Sequence, residues 1–293
     1  MIAQKDIAEV APVDGANDGV AAFFDLDGTL APRPSMEKRF FATLRCQRLI
    51  GARNYFVWAL EAARLAPRGI NQMLHANKMY LQDVRVALHA ADIPVCRCEP
   101  RVAKKDSEIG RPVRMPFPLY RQAIERVSWH AERRHSIVIV SGTLEFLAEK
   151  AARSLQYELS ARGLPSKIRV CATRLEEKDG RWTGRILGEA MFGEAKARAV
   201  AQIAAESNLD LPRSFAYGDS SADRWMLEAV GKPAAVNPSS DLTRIARRNE
   251  WIVLRWEEEK NLTHKTRSVP SPRRSEELAQ ELHAGRAKSG YGA

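Results

Sequence analysis

The sequence predicts an α/β fold, a mostly parallel sheet covered by helices on both faces, with a helical segment inserted after the first strand. Three observations carry this expectation. Short apolar runs recur along the chain, and stretches with apolar residues at helical spacing separate them. Three of the runs are followed by Asp25-Leu26-Asp27, by Ser141-Gly142-Thr143 and by Gly218-Asp219, so polar groups gather at the carboxyl edge, where parallel sheets place ligands. Between Ser35 and about Val95 no strand signal occurs, and helix formers with bulky apolar residues dominate.

Taken in order, residues 1–19 are small and polar and read as a flexible leader. Val20 to Phe24 is a continuous apolar run, the pattern of a strand buried on both faces. Further strands are expected at Ser136–Val140, Lys167–Cys171, Ser214–Tyr217, Ala234–Val236 and Trp251–Leu254. Helices are expected at Leu119–Arg134, Leu144–Leu159, Ala195–Glu206 and Asp223–Val230. Arg181 to Ile186 reads as a small hairpin with Gly184 near its turn. These elements give a core of residues 20–34 and 116–258, a helical insertion at 35–115 and a flexible polar tail at 259–293. Pro32-Arg33-Pro34 and the Pro112–Pro118 segment stiffen the two connections to the insertion.

Composition bounds the function. The 293 residues are 45% hydrophobic and 28% charged, ordinary globular usage that excludes wholesale disorder and collagen-like structure. No apolar run approaches the roughly 18 residues of a membrane span. The net charge of +10 suits an anionic ligand. The insertion contributes to it, since residues 35–95 carry nine Lys or Arg against four Asp or Glu. The stretch 251–293 is nearly balanced, eight against six, and makes a poor polybasic anchor. No firm nucleic-acid or membrane signal results, and the sequence leaves the oligomeric state open. Cys46 and Cys171 read as packed thiols, and the C-x-C of Cys96 and Cys98 lacks the second pair that a zinc site needs. Reduced thiols and the lack of an export signal favour the cytoplasm.

Four places carry chemistry. Asp25 and Asp27 lie two apart past a buried strand, and in an extended ending both carboxylates face one pocket. Their repulsion calls for a proton or a hard cation such as Mg²⁺. One carboxylate then attacks phosphorus while the other moves the proton. An ordinary Asp-Gly turn is the plain alternative, whereas Gly28 comes too early for an EF-hand. Ser141 and Gly142 open a helix and offer a hydroxyl and free amides to phosphate, or else a simple cap. Lys196, in Gly193-Glu194-Ala195-Lys196, is either a solvated helix-start lysine or a point charge for phosphate. Asp219 and Asp223, four apart at a loop-to-helix junction, are helix caps or the second half of a Mg²⁺ site.

As a set, in order and context, these motifs resemble the four signature motifs of the haloacid dehalogenase-like (HAD) hydrolases. The likeness spans about residues 20–256. The segment between the first two motifs looks like an α-helical C1-type cap on a Rossmann-like HAD core. Ala172-Thr173-Arg174-Leu175, Trp182-Thr183-Gly184 and Tyr217-Gly218-Asp219-Ser220 look like subfamily IB, the SerB or phosphoserine phosphatase-like branch. The resemblance implies a Mg²⁺-dependent phosphatase acting on a small phosphorylated metabolite through a phosphoaspartate. It makes Asp25 the nucleophile and Asp27 the general acid and then base, with the Asp27 main-chain carbonyl on Mg²⁺. It puts Ser141 and the Gly142 amide on phosphate oxygens, Lys196 on the charge at the phosphoaspartate, Asp219 on Mg²⁺ and Asp223 in support. Dehalogenases of the superfamily lack the second acid, so Asp27 argues for phosphoryl transfer. Where phosphoserine phosphatases carry a Glu after motif one, Pro34 and Ser35 stand here and Glu37 comes slightly late. Ala222 stands where Asn is usual. Phosphoserine, histidinol phosphate and other small monoesters are therefore equally open, with Arg53 and Arg68 as possible cap contacts. Two other readings are a catalytically idle fold with a basic binding surface and a phosphotransferase or mutase, which passes the phosphoryl group to an alcohol.

Overall fold

The structure, a computed structural model, describes residues 19–69, 73, 75–86 and 118–257. The leader apart from Gly19, residues 87–117 of the insertion and its second connection, and the 259–293 tail lie outside the described residues.

Six strands form one sheet in the order β3-β2-β1-β6-β7-β8, with every neighbouring pair parallel. They are β1 (Ala21–Phe24), β2 (Ser136–Leu144), β3 (Ile168–Thr173), β6 (Phe215–Gly218), β7 (Lys232–Val236) and β8 (Ile252–Leu254). Each expected strand is present within a few residues. β1 is central and buried along its whole length, which explains its unbroken apolar run. The chain builds outward from β1 to β2 and β3, then returns to the other side of β1 with β6. That reversal opens a crevice at the carboxyl ends of β1 and β6.

Helices cover both faces: α3 (Arg121–Glu132), α4 (Glu145–Ala161), α5 (Glu194–Ser207), α6 (Arg224–Glu228) and α7 (Ser240–Arg248). One apolar cluster joins Phe24, Ile139, Leu155 and Leu159 on the face of α3 and α4. The other joins Phe23, Val140, Val200 and Leu227 on the face of α5 and α6. The alternation of Phe23 and Phe24 between clusters is the two-residue side-chain period of a strand.

The insertion contributes α1 (Met36–Cys46), α2 (Ala52–Leu65) and two short 3₁₀ turns, Ala66–Arg68 and Met79–Leu81. A third apolar cluster unites Phe40, Leu44, Tyr80, Leu81 and Val84 of this segment with Trp182 of the hairpin and with Leu144 and Leu147 of the core.

The hairpin differs from the expectation. Arg181–Ile186 is a single strand, β5, paired antiparallel with β4 (Leu175–Lys178). The turn is Asp179-Gly180, with φ of 51° and 70°, the left-handed pair that a two-residue hairpin loop requires. Gly184 instead makes room, because a Cβ there would stand 2.9 Å from the Met79 Cα. Residues 83–86 run beside β5, since the Asp83 amide donates to the Trp182 carbonyl and the Val86 amide to that of Gly180, each at 2.9 Å.

A second difference concerns the cysteines. Cys171 is free, but Cys46 is exposed and disulfide-bonded rather than a packed thiol, so it no longer supports the inference from reduced thiols.

Candidate active site

The site lies at the crevice. Phe24 pairs with Ile139 on one side and with Tyr217 on the other, so Asp25 and Asp219 follow the ends of β1 and β6 beside Ser141 near the end of β2. The Asp25 amide donates to the Tyr217 carbonyl at 2.9 Å and holds the residue in line with the sheet.

Asp25, Asp219 and Asp223 are buried, and each offers a carboxylate oxygen within 4.8 Å of the others. Lys196, in the first turn of α5, reaches into the cluster. Its Nζ stands 2.6 Å from Asp25 Oδ1 and 2.5 Å from Asp223 Oδ1. The side chain is 3% exposed, which rules out the solvated-lysine alternative. Asp223 spends its other oxygen on its own loop, accepting from the Ser220 amide at 2.9 Å and the Ser220 hydroxyl at 2.7 Å. Both Asp223 oxygens are therefore occupied, and Asp25 and Asp219 retain the free lone pairs. Gly28 lets Asp219 approach: its φ is +97°, and a Cβ there would stand only 2.1 Å from Asp219 Oδ2.

The electrostatics follow from burial. Burial pushes the Asp25 carboxyl well above its usual range, as does repulsion from Asp223 and Asp219, while Lys196 pulls it down. Asp219 is raised to about 6 by burial and by Asp223. Against the upward push of burial, the Lys196 ammonium brings Asp223 below its usual value. Lys196 itself is held charged, since Asp223 and Asp25 outweigh its own burial. Three carboxylates facing one deeply buried ammonium leave surplus negative charge in a set of hard oxygen donors. That donor chemistry fits Mg²⁺.

Asp27 follows on a turn rather than on an extended strand ending, and the charges of Lys196 and Arg33 reach it there. The chain turns after Asp25, with the amides of Leu30 and Ala31 returning to the Leu26 carbonyl at 3.0 and 2.8 Å. One oxygen of the Asp27 carboxylate accepts from the Met36 amide at 2.7 Å, in the first turn of α1. The extended geometry assumed for residues i and i+2 does not persist through a turn. Burial raises Asp27 to about 6 although the Met36 hydrogen bond opposes the shift, which suits a group that both gives and takes protons.

Ser141 also departs from expectation. β2 continues through Leu144 and the helix starts at Glu145, so Ser141 and Gly142 lie in the strand rather than at a helix start, and neither caps the helix. The pairing register with β3 shifts between Ser141 and Leu144, and this irregularity re-aims the chain at the site edge. The Ser141 hydroxyl is buried and accepts from the Thr143 amide at 3.3 Å. The Thr143 and Thr29 hydroxyls have no hydrogen-bond partner among the described residues.

Two residues were not singled out from the sequence. Arg33 donates to Asp219 Oδ2 at 2.5 Å. His75 stacks on Phe192, just before the Lys196 helix, with ring centroids 3.6 Å apart and planes 17° apart. Burial first and Lys78 second lower His75 to about 4, which leaves it neutral at physiological pH. Neither lies within a recognisable motif. A lone His in a helical segment and an Arg between two prolines carry no spacing signal. Of the two arginines suggested for the cap, Arg53 pairs with Asp83 at 2.9 Å, both largely exposed, and is not brought to the carboxylates. The side chain of Arg68 lies outside the described residues.

Comparison with known proteins agrees with this arrangement. Residues 22–228 match the family model of the haloacid dehalogenase-like hydrolases. A probable phosphatase of Mycobacterium tuberculosis is 28% identical over 258 residues, which cover 86% of this chain and 79% of that protein. A phosphoserine phosphatase of the same organism is 28% identical over 242 residues, 80% of this chain and 70% of that one. A solved structure of a protein with unknown function from Bordetella pertussis is 29% identical, with a TM-score of 0.57, over 80% of this chain and 97% of that one. No helix among the described residues is long and apolar enough to cross a membrane.

Proposed function

The chain belongs to the haloacid dehalogenase-like hydrolases, and we propose that it is a Mg²⁺-dependent phosphatase that cleaves a small phosphate monoester through a phosphoaspartate on Asp25. The observation that carries this reading is the buried cluster of Asp25, Asp219 and Asp223 around Lys196. Lys196 and Arg33 together leave it one negative charge in surplus, which a divalent cation would offset.

The roles follow from position. Lys196 occupies Asp25 Oδ1, which favours the ionised carboxylate against the push of burial and leaves Oδ2 for attack on phosphorus. As the bond from Asp25 to phosphorus forms, the ester bond breaks and Asp27 gives its proton to the departing alcohol. Asp27 then takes a proton from water. The water oxygen bonds to phosphorus, and phosphate and the Asp25 carboxylate are released. Ser141 and the Gly142 amide hold phosphoryl oxygens at the edge of β2. Asp25, Asp219 and the Asp27 carbonyl would hold Mg²⁺, with Asp223 in support. When bound, the metal supplies charge neutralisation at the phosphoryl oxygens. Residues 35–115 act as the cap, and its basic excess attracts the anionic ester. The relative named phosphoserine phosphatase puts phosphoserine among the substrates to try, together with histidinol phosphate.

The decisive experiment is a screen of small phosphate esters with Mg²⁺ and with chelator, followed by mass spectrometry of acid-quenched enzyme. Turnover that needs Mg²⁺ and a phosphoryl group on Asp25 are expected. Undiminished turnover in chelator, or phosphate on Ser141, would overturn the mechanism.

A further inference from the structure

We propose that Arg33 is a built-in counter-cation of Asp219 that a divalent metal must displace in order to bind. This rests on the metal-centre reading of the Asp25, Asp219 and Asp223 cluster. Arg33 lies outside the four motifs, on the linker between β1 and α1. Its guanidinium stands 2.5 Å from Asp219 Oδ2. The pairing is asymmetric, since the Asp219 side chain is 4% exposed and that of Arg33 is 67% exposed. One partner is fixed in the floor of the site, and the other reaches in from solvent.

The contact takes up one of the two Asp219 oxygens open to a metal. Asp223 has both oxygens engaged, and Lys196 holds Oδ1 of Asp25. Asp25 and Asp219 thus each have one oxygen held by a cation, Lys196 for Asp25 and Arg33 for Asp219. Space around it is limited, since a Cβ on Gly28 would stand 2.1 Å from Asp219 Oδ2 and 3.2 Å from Arg33 Nε. A hard cation sits about 2.1 Å from its oxygens. It cannot share that lone pair with a guanidinium, and two positive charges so close repel each other.

The two cations of the site differ in how readily they leave. Lys196 is buried between two carboxylates, with its side chain only 3% exposed. Arg33 needs only to swing its exposed side chain outward, where water solvates it. Metal affinity is then the difference between binding the metal and releasing Arg33, and the linker to the cap carries the group that is released.

The test measures metal binding rather than turnover. Wild type, Arg33→Gln, Arg33→Lys and Asp219→Asn are stripped with chelator and titrated with Mg²⁺ and with Mn²⁺ by calorimetry. The metal-induced rise in Tm is recorded in parallel. Arg33→Gln should bind both ions roughly three- to tenfold more tightly, the scale of a partly exposed ion pair, and show a larger rise in Tm. Arg33→Lys should stay near wild type, because it keeps the charge. Asp219→Asn should lose binding. A merely structural arginine gives the opposite sign, since its loss would loosen the site and weaken the metal. Equal or weaker binding by Arg33→Gln, with wild type binding normally, overturns the competition and leaves the metal centre standing. If neither wild type nor Arg33→Gln binds metal, the metal centre falls and the competition with it.

Discussion

Lys196 and Lys78 are buried almost equally, with side chains 3% and 2% exposed, and both hold carboxylate oxygens within 2.7 Å. Their surroundings differ in charge. Lys78 meets one acid, Glu37, whose two oxygens it contacts at 2.7 Å each, and Tyr80 donates to the same carboxylate at 2.7 Å. That cluster balances, and it ties α1 to the Met79–Leu81 turn. Lys196 meets Asp25 and Asp223 with Asp219 close by, so its cluster keeps a deficit of positive charge. A balanced buried pair fixes structure, whereas an unbalanced one calls for a further cation and marks the chemistry.

The comparison is tested hardest at Asp25. Asp25→Asn should abolish turnover, because an amide does not attack phosphorus at a useful rate. Loss of more than about a hundredfold is expected in kcat, with the fold kept. The Tm should stay level or rise, since one repelling charge leaves the surplus cluster. A clear fall in Tm would show that the cluster is balanced after all.

At the balanced cluster the same kind of change should act on stability. Lys78→Met removes the charge and keeps the chain length. It leaves Glu37 with Tyr80 alone, at a cost of about 1–3 kcal/mol by chemical denaturation. Adding Glu37→Gln should recover part of that loss, because the stranded charge goes as well. kcat should change far less than for Asp25→Asn. A double variant no more stable than Lys78→Met alone would show that the two side chains are not coupled.

The core of this site was readable in the sequence because strand ends, apolar runs and short acidic motifs are local patterns. β1, β2 and β6 carry Asp25, Ser141 and Asp219 to one edge, and each announced itself by an apolar run ending in polar residues. What stayed hidden depended on turns and on contacts distant in sequence. The hydrogen bond from the Met36 amide to Asp27 depends on the turn after Asp25, which an extended reading misses. Ser141 looked like a helix start because Ser and Thr commonly cap helices, yet β2 runs three residues further. Asp179-Gly180 is a strong hairpin signal that Gly184 obscured. Lys78, His75 and Arg33 gain their meaning from partners 41, 117 and 186 positions away, and no local pattern reports such separations.

A third buried titratable group extends the comparison, since His130 has no opposite charge beside it. It lies between Tyr217, 2.9 Å from its Nε2, and His135, 2.8 Å from its Nδ1. Burial, then His135, Arg126 and Arg133, lower it to about 3. The unfolded chain takes up a proton near pH 6.5 that folded His130 refuses. Its contribution to stability is therefore complete above about pH 6.5 and is lost as pH falls toward 3. Asp27 and Asp219, both raised to about 6, act with the opposite sign over part of that range. The informative quantity is thus the difference between wild type and His130→Gln. Urea midpoints should show the variant losing less stability than wild type from pH 7 to pH 5, by on the order of 1 kcal/mol. An equal slope would mean that His130 is protonated in the fold.

The smallest effect is expected at Arg53, where exposure makes balance unimportant. Its pair with Asp83 spans 2.9 Å, but the side chains are 76% and 52% exposed. Water and salt screen such a pair, so Arg53→Ala should cost no more than about 1 kcal/mol. KM values across a panel of phosphate esters should stay within about twofold of wild type, and their ranking should not change. His75→Ala is the informative partner variant. His75 stacks on Phe192 beside the Lys196 helix, and its loss removes a contact between the cap segment and the site. Its KM values should rise unevenly across the panel while kcat for the best ester falls less. Should Arg53→Ala reorder the esters and His75→Ala leave them in place, selectivity would come from the basic outer surface of the cap, and the stacked ring would be a packing contact alone.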